Sequence, residues 1–115
     1  MYSLIIHHKE EYTMTKILLC CAAGMSTSMV VQKMEKAAQQ QGLDVEIKAV
    51  GIEEFRDDIA DYDCCLLGPQ IKYKLADFQP IAQQYSKPVA VINSMDYGMM
   101  NGEKILSDAL KLIHT

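Results

Sequence analysis

The stretch Lys16-Ile-Leu-Leu-Cys-Cys-Ala-Ala-Gly-Met-Ser-Thr-Ser28 decides the fold of this 115-residue chain. It begins as a continuous apolar run, which is typical of a strand buried on both faces of a parallel sheet. Two cysteines and a turn of small residues come next, and a helix rich in Met and Val then begins. Backbone amides and the positive end of a helix dipole attract phosphate and favour thiolate over thiol. The stretch therefore indicates a cysteine that becomes phosphorylated at the end of a strand.

The rest of the chain alternates strands and helices. Apolar spacing predicts helices over 26–41, 52–60, 70–85 and 101–113, and Pro80 is where the third one could break. Strands are predicted over 16–20, 44–50, 64–67 and 89–92. The second strand alternates apolar and charged residues, as expected of a sheet edge, whereas the first, third and fourth are short and apolar. A long loop carrying Asp96-Tyr97-Gly98 follows the fourth strand.

This alternation predicts an α/β fold with a four-stranded parallel sheet in the order 2-1-3-4 and helices on both faces. The strand order reverses between strands one and three, and ligands of such sheets bind at the carboxyl ends of the strands beside that point. Three loops, 21–28, 68–70 and 93–98, meet there. The chemistry and the architecture thus indicate the same place.

Composition excludes several classes of function. A formal net charge of −4 disfavours nucleic acid or an anionic membrane surface as the main partner. No apolar run approaches the roughly 20 residues of a membrane-spanning helix, so no membrane insertion is expected. The four cysteines form two adjacent pairs without the two-residue gap of zinc or thioredoxin motifs. Reduced thiols in a cytoplasm, with no metal and no cofactor, are the better interpretation.

Residues 1–13 differ from the rest of the chain, because they carry no periodicity and no turn signals. The codons of Lys9-Glu10-Glu11 can form a purine run that resembles a ribosome-binding site shortly before Met14. We therefore expect translation to start at Met14, with 1–13 as a disordered extension and 14–115 as the domain. The alternative is a genuine flexible arm, and neither interpretation gives the segment a function.

Three motifs carry a resemblance to a known family: Cys21-Ala-Ala-Gly-Met-Ser-Thr-Ser28, Leu66-Leu-Gly-Pro-Gln70 and Asp96-Tyr-Gly-Met-Met-Asn-Gly-Glu103. Over Thr15 to Ile113 the chain resembles the enzyme IIB component of the phosphoenolpyruvate-dependent sugar phosphotransferase system, in its lactose/cellobiose/diacetylchitobiose family. The resemblance implies a phosphotransferase that takes a phosphoryl group from a histidine of enzyme IIA onto a cysteine. The sugar acceptor is then held by the membrane component IIC. The implied sugar is a β-disaccharide such as cellobiose, lactose or diacetylchitobiose.

By motif, the resemblance implies that Cys21 is the phosphocysteine. It also implies a cytoplasmic protein that is transiently at the inner face of the membrane through IIC. The implied phosphate-cradling loop consists of Ala22, Ala23, Gly24, Met25, Ser26, Thr27 and Ser28.

Other residues near the predicted site have both a functional and a structural interpretation. Gln70, Asp96 and Tyr97 are expected to support the site, with ordinary turn residues as the alternative. The methionines of the site loops suit either an adaptable docking rim or core filling; they are Met25, Met95, Met99 and Met100. The remaining cysteines are expected to be packing residues; they are Cys20, Cys64 and Cys65.

Two other classes of function compete with a phosphocarrier. Low-molecular-weight tyrosine phosphatases have a similar architecture and a Cys-x5-Arg-Ser/Thr loop, in which the arginine grips the phosphate. Here Thr27 occupies the arginine position and no Asp-Pro pair offers a general acid. A non-catalytic regulatory or binding domain remains open on fold alone, although the cysteine and its loop are both present. A thiol redox protein is disfavoured because no CxxC spacing occurs.

Overall fold

The computed structural model describes residues 14–22 and 25–114, and it describes residues 25 and 26 by their backbone only. The expected extension over 1–13 lies outside the described residues, and the expected start at Met14 stays a prediction. No helix among the described residues is both long and apolar enough to cross a membrane.

Four parallel strands form one sheet in the order β2-β1-β3-β4, which confirms the predicted topology. They are β1 (Thr15–Cys20), β2 (Val45–Val50), β3 (Cys64–Leu67) and β4 (Val89–Val91). In the register of the sheet, Cys20 pairs with Val50 on one side and with Leu67 on the other. The last residue of β1 is therefore level with the carboxyl ends of both neighbouring strands.

The described part of the chain contains five α-helices and three 3-10 helices, and the last two α-helices follow β4. The α-helices are α1 (Met25–Gln40), α2 (Phe55–Asp58), α3 (Leu75–Gln83), α4 (Ser94–Gly98) and α5 (Gly102–Ile113). The 3-10 helices cover Ile52–Glu54, Ile59–Asp61 and Pro69–Lys74. Gly42 ends α1 as predicted, because its φ of 69° lets the amides of Gly42 and Leu43 reach back to the carbonyls of Gln39 and Ala38.

The sheet separates two apolar cores, and the alternation of β1 assigns each residue to one of them. Ile17 and Leu19 face α1 and α5. Leu18 faces the other way, toward α2 and α3. On that second face the rings of Phe55 and Phe78 stack with their centroids 4.0 Å apart. Both faces of β1 are thus covered, as its apolar composition predicts.

The structure differs from the predicted elements in three places. The acidic segment after β2 is a succession of short 3-10 and α turns rather than one helix. The single helix predicted after β3 is instead a 3-10 helix, in which Ile71 has non-helical φ and ψ, followed by α3. Helix α3 runs through Pro80 without a break. Buried Phe78 and Ala82 lie on either side of Pro80, and their packing holds the helix despite the missing N–H. The predicted loop over 93–98 contains the short helix α4.

Helix α5 begins where the sequence predicts, and it lies very close to α1. The Asn101 side chain accepts a hydrogen bond from the amide of Lys104 at 3.2 Å, which caps the helix. A Cβ atom at Gly102 would lie 2.4 Å from the carbonyl carbon of Lys33. Only glycine permits this approach, which fixes where α5 crosses α1.

Candidate functional site

Cys21 lies directly beyond the last residue of β1, at the carboxyl edge of the sheet. Its amide donates a hydrogen bond to the carbonyl of Val50 at 3.1 Å, which extends the β1–β2 pairing by one residue. The residue is 3% exposed and belongs to the core on the α1 and α5 side. Its backbone is therefore held by the sheet, and its sulfur lies on the face covered by α1.

Cys20 lies on the opposite face of the sheet, in the core that contains Phe55. Its thiol donates to the carbonyl of Gly51 at 3.4 Å. Burial raises the pKa of Cys20 to about 12, and electrostatic interactions with Cys21, Glu54 and Glu53 add to the increase. Cys20 is therefore a neutral thiol at physiological pH, which agrees with the expected packing role. Cys64 and Cys65 are likewise fully buried.

Two hydroxyl groups accompany the sulfur of Cys21. The hydroxyl oxygen of Tyr97 lies 3.9 Å from Cys21 Sγ and 3.4 Å from the hydroxyl oxygen of Thr27. Thr27, in the first turn of α1, is completely buried, and Tyr97 in α4 is 8% exposed. Since each hydroxyl can both donate and accept, Thr27, Tyr97 and Cys21 can form one chain of hydrogen bonds ending on sulfur. Helices α1 and α4 thus bring polar groups to the end of β1.

Gly68 is a site residue whose role the sequence did not predict. It follows β3, and its amide donates to the carbonyl of Cys20 at 2.9 Å. A Cβ atom at this position would lie 2.6 Å from the Cys21 sulfur and 2.7 Å from Oε1 of Gln70. The sulfur and the Gln70 carboxamide therefore both pack against the Gly68 backbone. The only signal in the sequence was the Gly-Pro step after an apolar strand, which predicts a turn but no contact with the thiol.

The remaining residues of the predicted site occupy the same edge of the sheet. Asp96 extends its carboxylate toward α5, with Oδ2 3.8 Å from Nζ of Lys104. Its amide donates to the Asn93 side chain at 3.0 Å, and its carbonyl accepts from the amide of Asn101 at 2.8 Å. Asp96 therefore fixes α4 against the start of α5. Tyr97 is the next residue, so these contacts also position its hydroxyl.

The predicted phosphate-binding loop is described only in part. Ala22 is exposed, and Ser28 is exposed in the first turns of α1. Met25 and Ser26 begin α1, but their side chains, like all of Ala23 and Gly24, lie outside the described residues. The N-terminus of a 16-residue helix thus begins four positions after Cys21.

Of the methionines, two in and beside α4 are largely exposed, with Met95 71% and Met99 70% accessible. Met100 is half-buried and packs against the core on the α1 side. Tyr73, which follows the Gly68 turn, is 67% exposed. Large apolar side chains are therefore accessible in and beside α4 and in the 3-10 helix that follows β3.

Comparison with known proteins agrees with this arrangement. The family described as "PTS system, Lactose/Cellobiose specific IIB subunit" matches residues 16–108. The chain belongs to this family. It is 44% identical over 100 residues to the oligo-beta-mannoside-specific EIIB component of Bacillus subtilis strain 168, covering 87% of this chain and 97% of the relative. It is 41% identical over 103 residues to the galactose-specific EIIB component of Lactococcus lactis subsp. cremoris, covering 85% and 95%.

Solved structures of the IIB family have the same fold. The cellobiose-specific IIB component of Borrelia burgdorferi superimposes with a TM-score of 0.75 at 36% identity, over 89% of this chain and 94% of that one. The lactose-specific IIB domain of Streptococcus pneumoniae gives a TM-score of 0.79 at 18% identity, over 87% and 98%. The second likeness concerns the fold alone. This chain is therefore a IIB component of a sugar phosphotransferase system.

Proposed function

We propose that Cys21 carries the phosphoryl group of this IIB component. It would accept the group from a phosphohistidine of enzyme IIA and pass it to a sugar held by the membrane component IIC. The observation that carries the proposal is the position of the Cys21 sulfur at the end of β1, a central strand, 3.9 Å from the Tyr97 hydroxyl and four positions before the start of α1. Phosphoryl transfer requires mainly positioning and stabilisation of the phosphoryl oxygens, which hydroxyls and helix amides can provide.

The proposed reaction has two displacements at phosphorus. In the first, the Cys21 thiolate attacks, so that an S–P bond forms while the N–P bond breaks; the histidine ring leaves with the bonding electrons and becomes a neutral imidazole by taking up the proton that the thiol has lost. In the second, a sugar hydroxyl oxygen attacks, an O–P bond forms, the S–P bond breaks and the thiolate is released. The proton of the sugar hydroxyl goes to a base on the partner side. Neither step needs a metal or an activated water on this chain.

Cys21 lacks the neighbouring arginine that a phosphatase of this architecture uses to grip the phosphate. Position 27 carries a fully buried threonine hydroxyl 3.4 Å from Tyr97, where a Cys-x5-Arg loop would place a guanidinium. The chain's one arginine, Arg56, lies in α2, beside Phe55 on the other side of the sheet. A site without that cation favours holding the phosphoryl group over its hydrolysis.

The sugar is proposed as a class. Relatives with 41–44% identity are named for oligo-beta-mannoside, galactose and cellobiose, so similarity at this level does not separate sugars. We propose a β-linked disaccharide such as cellobiose, lactose or diacetylchitobiose. The protein would work in the cytoplasm and meet the inner face of the membrane only through IIC.

The experiment is intact-mass measurement after incubation with phosphoenolpyruvate, the general phosphotransfer proteins and a cognate IIA. The wild type should gain one phosphate that is released by iodine, as expected of a thiophosphate. Cys21→Ser should gain none, whereas the matched control Cys20→Ser should be phosphorylated like the wild type. An unmodified wild type that instead hydrolyses aryl phosphates would overturn the proposal in favour of a phosphatase. Neither activity would leave a binding domain.

A further inference from the structure

The side chain of Gln70 lies beside the sulfur of Cys21, on the same glycine. Both Cys21 Sγ and Gln70 Oε1 lie within 2.7 Å of the point where a Gly68 Cβ atom would stand. The carboxamide of Gln70 is therefore a close neighbour of the thiol, although the two residues are far apart in the chain. Gln70 as a residue remains exposed, whereas Cys21 is 3% exposed, so Gln70 lies between the buried sulfur and the protein surface.

The turn that carries Gln70 is held on both sides. Pro69 precedes it with a fixed φ, and the fully buried Ile71 follows it. The amide of Ile71 donates to the carbonyl of Gly68 at 3.0 Å, and the amide of Gly68 donates to the carbonyl of Cys20 in β1 at 2.9 Å. An exposed glutamine normally samples many rotamers, but the backbone of this one is fixed relative to Cys21. A hydrogen bond of its amide then costs only side-chain rotamer entropy, because the backbone is already ordered.

A carboxamide matches both states of the sulfur that the proposed function requires. A protonated thiol can donate a hydrogen bond to the amide oxygen, which is the atom near Gly68 in this structure. A phosphoryl group offers only acceptors and carries about two negative charges, so it needs the amide NH2 instead. Rotation of the terminal torsion exchanges the two ends of the amide, because this torsion is soft and nearly two-fold. Glutamate would provide acceptors only.

We propose that Gln70 is a phosphoryl-binding residue, whose amide nitrogen donates a hydrogen bond to the phosphoryl group on Cys21. This inference rests on the proposed function of Cys21. Gln70 thereby stabilises the phosphorylated state with a neutral donor. Such a donor binds the phosphoryl oxygens without adding a cation, and the group can still be passed on.

The test is the equilibrium between phosphorylated IIA and this protein, measured by intact mass from both directions. Gln70→Glu preserves the shape of the side chain but replaces the donor by a negative charge, and Gln70→Met removes hydrogen bonding. Loss of a hydrogen bond to a charged group should shift the equilibrium toward phospho-IIA by about tenfold or more. The glutamate variant should show the larger shift. Gln79→Glu, an exposed glutamine in α3, adds the same charge away from Cys21 and should leave the equilibrium unchanged.

The equilibrium distinguishes this role from a contact with the partner. A residue that only docks IIA changes the KM and the rate of approach to equilibrium but not its position. If the glutamate and methionine variants reach the wild-type equilibrium, Gln70 does not bind the phosphoryl group. If the wild type is never phosphorylated on Cys21, the proposed function fails instead. Urea unfolding of each variant checks that an altered equilibrium does not reflect a loss of folded protein.

Discussion

The hydroxyl of Tyr97 and the sulfur of Cys21 are 76 positions apart in the chain and 3.9 Å apart in the folded protein. Tyr97 is held from two directions, by the Asn93 cap of α4 and by the contacts of Asp96 with α5. The sulfur is held by the end of β1. This contact therefore couples the loop after the last strand to the end of the first strand.

Removal of the Tyr97 hydroxyl should slow phosphorylation of Cys21. Tyr97→Phe deletes one hydrogen-bond partner of the sulfur, and a single neutral hydrogen bond contributes about 0.5–1.5 kcal/mol. We expect the single-turnover rate with phospho-IIA to fall about 3- to 10-fold, with KM for IIA unchanged. Tyr85→Phe, at a tyrosine 46% exposed, is the matched control. A Tyr97→Phe protein as fast as the wild type would show that the hydroxyl does not position the sulfur.

A side chain at Gly68 should disturb the thiol directly. The methyl group of Gly68→Ala would stand 2.6 Å from Cys21 Sγ, so the sulfur or Gln70 must move. Misplacement of a reacting group by about 1 Å can reduce a rate by about 100-fold. We expect rapid-quench phosphorylation to be slowed by about 10- to 100-fold.

The control for this variant is Gly98→Ala, since nothing lies within 4 Å of a Cβ atom there. It should be phosphorylated at the wild-type rate. Equal rates for the two alanine variants would contradict the close contact at Gly68.

Gly102→Ala should lower the free energy of unfolding without preventing phosphorylation of Cys21. Its Cβ atom would stand 2.4 Å from the Lys33 backbone, which forces α1 and α5 apart. Overpacking of this kind typically lowers the free energy of unfolding by about 1–3 kcal/mol. Urea denaturation of Gly102→Ala should show this decrease, whereas Ser107→Ala in the same helix should not. The folded fraction of Gly102→Ala should still be phosphorylated, and an unchanged unfolding free energy would argue against the close crossing.

The free energy of unfolding should decrease at alkaline pH. Burial raises the pKa of the Cys64 thiol to about 12, with a smaller contribution from Asp63, whereas in the unfolded chain it is near 9.0. Between these values the unfolded state has lost the proton and the folded state keeps it, so stability falls as pH rises above about 9. Urea unfolding at pH 7, 9 and 10 should show this slope.

Cys64→Ala isolates the contribution of that thiol. The variant should be less stable than the wild type at pH 7, because its core loses a sulfur atom. Its stability should nevertheless decline less steeply above pH 9. If the free energy of unfolding of the two proteins decreased equally with pH above 9, Cys64 would not contribute to the decrease.

Local sequence patterns predicted the fold, but they predicted the surroundings of the Cys21 sulfur only in part. Two-sided burial of β1, the polar face of β2 and the alternation of Cys20 and Cys21 all follow from period-two side-chain geometry, and the structure has each of them. Helix α4 was missed because five residues are too few to show helical periodicity. The contact of Gly68 with the thiol joins two strands, and a local sequence pattern contains no information on such a distance.

Pro80 and Ile71 are a second example of positions whose conformation local sequence patterns do not predict. The sequence left a break at Pro80 open, and the buried neighbours of that proline keep α3 continuous. The departure from helical geometry occurs instead at Ile71, where the chain leaves the sheet edge. Tertiary packing decided both positions, and it is not expressed in single-residue preferences.

The placement of Cys20 and Cys21 on opposite faces makes the length of β1 as important as its composition. A deletion or insertion of one residue within Thr15–Cys20 would keep an apolar strand but exchange the faces of every side chain that comes after the change. Cys20 would then turn toward Tyr97, and Cys21 would turn toward the opposite core. Natural variation in this strand should therefore consist of substitutions, and length changes should be confined to the loops between other elements.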